Sequence, residues 1–229
     1  MDWNTIFFII LPYIAIPLGI VVAVYRSIYR PFTVSSLSSQ LLESRQLYWG
    51  SNAFHYGISI ILLGHLAAIL FPGSIVLWNA VPLRLYLLEV SGVILAVWSL
   101  AGLLVLIWRR VSNNRIRMVS TPIDFLLLAL LFVSLVTGII IATSYRYGSY
   151  WFTGIFTPYI ASLFLLQPRL DLVAPLPWII KLHVINLYFL ALVFPFSRLL
   201  HIFTYPFAYL YRPWQVVIRW GKGTRKAEN

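Results

Sequence analysis

The chain has 229 residues, 61% of them hydrophobic and 10% charged, with a mean hydropathy of +0.87. So few polar side chains cannot cover a water-soluble globule, and the lack of cysteine excludes a disulfide framework, an intrinsic iron–sulfur cluster and c-type haem attachment. Its 17 Lys and Arg against 6 Asp and Glu gather between apolar runs, a pattern of membrane orientation rather than of a nucleic-acid partner.

Five runs are long enough to cross a bilayer as helices, which predicts an all-α polytopic membrane bundle. They cover residues 3–25, 50–71, 85–108, 123–143 and 178–203. The first run opens with the acidic MDWN, no small-residue cleavage site follows, and its apolar core is long, so it reads as a retained helix rather than a signal peptide. Arg26, Arg30 and Arg45 follow it. The second run contains SNAFHYGISIILLGHL, residues 51–66, with His55, His65 and, just before the latter, Gly64, which leaves room beside the backbone.

The segment VPLRLYLLEV places Arg84 and Glu89 at the start of the third run, which ends at Arg109 and Arg110 and is followed by Arg115 and Arg117. The fourth opens with STPID, in which Thr121 caps a helix, Pro122 suits its first turn and Asp124 favours its positive end. Residues 147–166 form a sixth apolar stretch, interrupted by Gly148, Gly154 and Pro158. If it spanned, the basic tail would fall on the opposite side, so it reads as an interfacial or re-entrant segment on the outer face.

The fifth run carries Lys181, His183, Arg198 and His201, and precedes a tail over 204–229 with Arg212, Arg219, Lys222, Arg225 and Lys226. Twelve basic residues lie on one side and four on the other (Arg84, Arg146, Arg169 and Lys181). This bias predicts an N-terminus outside and a C-terminus in the cytoplasm. No internal repeat or linker divides residues 1–229, which read as one domain.

The four histidines are the only ones in the chain, and all lie in bilayer-grade sequence. Antiparallel packing of the second and fifth spans pairs His55 with His201 near the cytoplasmic face and His65 with His183 near the outer face. Two imidazoles from facing helices suit the axial positions of a haem iron. Zinc fits poorly, because each pair lacks further ligands; a proton relay remains open but needs no pairing by depth. On continuous helices His55 and His65 stand about 15 Å apart and His183 and His201 about 27 Å apart. Tilt or a kink at Pro195 has to absorb the difference. Arg198, one turn before His201, and Arg109 or Arg110 are candidates for haem propionates, while snorkelling at the boundary is their ordinary role.

SSQLLESRQLYWGSNAFHYGISIILLGHLAAILFP from residue 38, LHVINLYFLALVFPFSRLLHIFTYPFAYL from residue 182 and, more weakly, RIRMVSTPIDFLLLALL from residue 115 together resemble the gamma subunit of membrane-bound respiratory nitrate reductase, a dihaem cytochrome b family. The resemblance implies two b haems, the inner held by His55 and His201 and the outer by His65 and His183. It implies oxidation of menaquinol or ubiquinol near the outer haem, and electron delivery to an iron–sulfur beta subunit that feeds a molybdenum alpha subunit. The expected setting is the lipid of a prokaryotic cytoplasmic membrane, with quinol as substrate.

One element departs from that family: its quinol-site lysine at the outer end of the third span has no counterpart between residues 72 and 108. Arg84, Glu89 and Lys181 are the candidates in its place; a guanidinium stays charged, whereas a carboxylate can accept a proton. Pairing of Glu89 with Arg84 or Lys181 is its ordinary alternative. Two other functions stay open: a dihaem subunit of another redox complex, such as a heterodisulfide or sulfur-compound reductase or one run in reverse on nitrite, and a haem-free proton-relay transporter or membrane anchor.

Overall fold

Within hydrocarbon, backbone N–H and C=O groups have no water to bond, so a spanning segment has to close them internally as a helix. The computed structural model does this in five helices long and apolar enough to cross a membrane. They are α1 (Trp3–Tyr29), α2 (Arg45–Leu70), α3 (Pro82–Ser112), α4 (Pro122–Ser144) and α5 (Trp178–Val193, extended by a 3-10 turn to Phe196). The structure describes residues 2–30, 42–145 and 147–202; Arg146, the last residue of the predicted fifth span and the basic tail lie outside the described residues. No strand occurs among the described residues. The helices run longer than the predicted spans at most ends, because their last turns continue beyond the apolar core into charged sequence such as Arg109–Ser112.

The helices alternate in direction, and end-to-end contacts define two ends of the bundle. At one end Lys181 Nζ donates to Asn4 Oδ1 at 3.2 Å and Thr157 Oγ1 to the Ala68 carbonyl at 3.2 Å. At the other, Arg26 meets the residues after α5, and Arg198 meets the start of α4. These are called here the Asn4 end and the Arg26 end.

The most extensive packing is between α2 and α3. Small residues make it close: a Cβ added at Gly102 would lie 2.6 Å from the Phe54 nitrogen and 2.7 Å from the Gly50 carbonyl oxygen. Leu103 and Phe54 then bury against Leu135 of α4. Helices in lipid gain no hydrophobic drive from meeting, so backbone approach and dispersion are what hold this pair.

Residues 147–166 do not form a sixth counted span. They wind through Gly148–Trp151, a π-helical turn at Phe152–Phe156 and Thr157–Phe164, and pack at the Asn4 end. Phe156, Tyr159 and Leu163 join Phe8 of α1 and Val184 and Tyr188 of α5 in one buried cluster. The docking follows from a backbone defect. Pro12 has no N–H to offer the Phe8 carbonyl one turn earlier, and the Tyr159 hydroxyl donates to that carbonyl at 2.7 Å instead.

The start of α2 is fastened by Glu43. Its carboxylate accepts from the Gln46 and Leu47 N–H groups at 2.7 and 3.2 Å, capping the helix, and from Arg109 Nε at 2.6 Å. Desolvation pushes this carboxyl up, but the hydrogen bonds from Gln46, Arg109 and Leu47 outweigh it and hold Glu43 below the ordinary carboxylate value.

Two outcomes test this packing in detergent-solubilised protein. Gly102→Leu should cost about 1–3 kcal/mol by overpacking and lower the thermal transition, whereas Gly92→Ala, with nothing within 4 Å of its added Cβ, should stay within about 0.5 kcal/mol. Glu43→Gln should be less stable than the parent at neutral pH. Because the native carboxyl is depressed, its contribution is full above the ordinary 4.5 and fades as the pH falls through the lowered value, so the gap between the two proteins should close in acid.

Candidate functional site

The geometry near the Arg26 end is set by where α5 stops. Pro195 cannot donate to the Ala191 carbonyl, so the regular helix ends at Val193 and gives way to 3-10 turns at Phe194–Phe196 and Arg198–Leu200, with Ser197 extended between them (φ −98°, ψ 178°). This corrects the expectation of a continuous helix from His183 to His201 with about 27 Å between them. The break is held tightly. Arg26 Nη1 donates to the Pro195 carbonyl and, at 3.2 Å, to the Ser197 carbonyl. The buried Ser197 hydroxyl caps the next turn, accepting from Leu199 N at 3.1 Å while it donates to the Phe194 carbonyl at 2.9 Å.

His201 emerges from that turn with its ring centre 6.1 Å from that of His55 on α2. His201 Nδ1 lies 2.7 Å from the Arg198 carbonyl, and His55 Nδ1 lies 2.8 Å from the Ser51 carbonyl and 3.1 Å from its hydroxyl. A carbonyl only accepts, so Nδ1 carries the proton in both rings and each Nε2 keeps its lone pair.

The second pair repeats this logic near the Asn4 end. His65 Nδ1 donates to the Ile61 carbonyl at 2.9 Å. On α5, His183 Nδ1 lies 2.8 Å from Thr137 Oγ1 of α4. That hydroxyl gives its own proton to the Val133 carbonyl at 2.6 Å, which leaves its oxygen to accept from His183. Gly138 makes the ring fit: a Cβ there would stand 3.3 Å from His183 Cε1. The His65 ring meets Phe152 edge-on at 5.2 Å.

Two imidazoles can ligate one metal ion from opposite sides. Metal–nitrogen bonds of about 2 Å on each side of an ion, with about 1 Å from each nitrogen to its ring centre, put two such rings about 6 Å apart, as His55 and His201 stand. His55 and His65 are exposed on an apolar helix, and the space beside Gly64 is open to 4 Å. Polar rings open at bilayer depth are costly unless something covers them. Among the described residues no group of three or more His, Cys, Asp or Glu converges.

The charged candidates are differently employed. Arg109, 3% exposed, is committed to Glu43, with Nη2 also donating to the Glu43 carbonyl at 2.7 Å. Arg110 and Arg198 both reach Asp124, at 3.1 and 3.3 Å. Asp124 accepts from the Thr121 N–H at 3.0 Å as well, so it is the helix cap read from STPID and an ion-pair centre besides. Arg84 lies over the Trp78 ring at 5.5 Å, and Lys181 is held by Asn4 and the Ala174 carbonyl. Neither pairs with Glu89. That carboxylate lines a groove of about 400 Å³ between α3 and α4, with Tyr86, Val90 and Thr143, and accepts from Ser149 Oγ at 3.4 Å.

Sequence reasoning missed Ser51, Thr137, Gly138 and Asn186. Asn186 Nδ2 bonds the Leu130 carbonyl and Ser134 Oγ at 2.9 and 2.6 Å, locking α5 to α4 one turn from His183. The available signal was a set of small polar residues at helical spacing, Ser134 and Thr137–Gly138, in an otherwise apolar span.

Comparison with known proteins agrees along nearly the whole chain. The family model of the nitrate reductase gamma subunit matches residues 4–220. The nitrate reductase gamma chain of Bacillus subtilis is 31% identical over 211 residues, 90% of this chain and 94% of that protein. The respiratory nitrate reductase 2 gamma chain of Escherichia coli is 31% identical over 224 residues, 93% and 96% respectively. The nitrate reductase-like protein NarX of Mycobacterium tuberculosis is 31% identical over 222 residues, which are 91% of this chain but 33% of that longer protein. With its five apolar helices and these matches, the chain belongs to the nitrate reductase gamma subunit family, the membrane subunit of an oxidoreductase complex.

Proposed function

We propose that this chain is a dihaem cytochrome b that oxidises quinol near the outer face of a prokaryotic cytoplasmic membrane and passes the electrons inward to an iron–sulfur subunit serving a molybdenum catalytic subunit. The observation that carries the reading is the common state of the four histidines: each has its Nδ1 anchored by the protein, which leaves Nε2 to bind iron. His55 and His201 would hold the inner haem, His65 and His183 the outer one. Bound haem b supplies a one-electron carrier at each end of the bundle. A histidine proton relay is less well served, because it needs ring nitrogens free to exchange partners.

The protein's own contribution is orientation and separation. The basic-residue bias supports an N-terminus outside, which makes the Asn4 end the outer one. Thr137 and Gly138 fix the His183 ring there, and the turn after Pro195 fixes His201 on the cytoplasmic side. Quinol oxidation leaves its protons outside while electrons move in, so charge separates without a proton channel. Each charge carried fully across works against about 2.3 kcal/mol per 100 mV.

Of the three quinol candidates, Glu89 is the best supported. It faces a groove and has no ion pair with Arg84 or Lys181, and a carboxylate accepts a quinol hydroxyl proton where the guanidinium of Arg84 does not. The groove walls of Tyr86, Val90 and Ile94 suit an apolar ring.

Three measurements test this reading. His55→Ala or His201→Ala should each remove the same one of two b haems, and His65→Ala or His183→Ala the other; variants of one pair removing different haems would refute the pairing. Glu89→Gln should slow reduction of the haems by a quinol roughly 100-fold and leave their reduction by dithionite unchanged; an unchanged quinol rate rules Glu89 out. Proteoliposomes of the whole complex should acidify the outer compartment during quinol turnover, and failure to do so contradicts the vectorial scheme.

A further inference from the structure

We infer that Asp124 is a positioning residue for the inner haem ligand His201, acting through Arg198, in addition to capping α4. The inference rests on the dihaem reading above. STPID explains the position of Asp124 as a cap, yet a cap needs neither burial nor two guanidinium partners. Asp124 is 4% exposed. Its Oδ2 accepts from the Thr121 N–H at 3.0 Å and faces Arg110 Nη1 at 3.1 Å, while its Oδ1 faces Arg198 Nε at 3.3 Å. The carboxylate therefore ties three things together: the start of α4, the end of α3 and the turn that carries His201.

The path to His201 is short. Arg198 is fixed by Asp124 at Nε and by the Val119 carbonyl, to which Nη2 donates at 3.2 Å. It is the first residue of the Arg198–Leu200 turn, and its own carbonyl accepts the Nδ1 proton of His201 at 2.7 Å. Anchoring the Arg198 side chain thus anchors the carbonyl that selects the His201 tautomer and sets its ring plane. Past Val193 the regular helix has ended, so its hydrogen-bond ladder no longer positions the ligand. Arg26 holds the Pro195 side of the break and Asp124 the Arg198 side. Asp124 also places one negative charge among Arg110 and Arg198, and its removal leaves that side of the inner site more positive.

The test uses the purified holo-subunit carrying both haems. Asp124→Asn keeps an oxygen that can accept from the Thr121 N–H but loses the charge that holds both arginines. The expected result is a higher midpoint potential and a shifted low-field EPR signal for the haem ligated by His55 and His201, because a more positive surround favours the reduced iron and a loosened ring changes its plane. The outer haem should titrate and resonate as in the parent. Arg198→Lys keeps the positive charge but cannot bond Asp124 and the Val119 carbonyl with one planar fork; it should shift the EPR signal with a smaller change in potential, and it stands in if Asp124→Asn does not fold. Inner signals identical to the parent in both variants, or equal shifts in the two haems, would overturn the positioning role. A parent protein without haem would instead overturn the dihaem reading, so the two failures are told apart.

Discussion

An imidazole at bilayer depth has two nitrogens to satisfy, and the rest of this structure depends on how one of them is anchored. Water is absent from that layer, so Nδ1 has to find its partner in the protein. Three of the four histidines use a carbonyl three or four residues earlier in their own chain, at 2.7 to 2.9 Å. The fourth, His183, has the Thr137 hydroxyl of the neighbouring helix. In every case Nδ1 is the nitrogen that the protein bonds, which leaves Nε2 outside that contact.

Anchoring the rings required different solutions at the two ends. At the Asn4 end α4 and α5 run side by side, and small residues suffice: Gly138 admits the ring, Thr137 bonds it, and Asn186 locks the helices one turn away. At the Arg26 end the fifth helix has to stop short, because a straight helix would carry His201 too far from His55. Pro195 stops it, and a helix ending in partly apolar surroundings leaves polar groups to be satisfied. Arg26, Ser197, Arg198 and Asp124 meet that need. The charged residues at this end are thus a consequence of the broken helix as much as of the membrane boundary.

The parts of this design that were legible in the sequence are those carried by local pattern. Apolar runs located the five spans to within a few residues at most ends, the Gly and Pro interruptions marked residues 147–166 as something other than a span, and STPID announced the start of α4. The approach of His201 to His55 follows from the alternating direction of the helices. What stayed hidden depends on partners far apart in sequence: Arg26 with the Ser197 carbonyl, Arg109 with Glu43, Thr137 with His183 and Arg198 with Asp124. Pro195 was visible as a perturbation, but a kink and a full stop differ only in whether the chain beyond finds new partners. The second role of Asp124 was masked by the first, since a cap fully accounts for that residue type at that position.

The central claim is that two histidine pairs hold two b haems, one at each end of the bundle. The most direct test is haem content per polypeptide by pyridine haemochrome on the purified protein, combined with low-temperature EPR for axial ligation. Two b haems per chain, both low-spin with two histidine ligands, is the predicted result. One haem would show that a pair has been misassigned, and protein made with ample haem that still binds none would contradict the account.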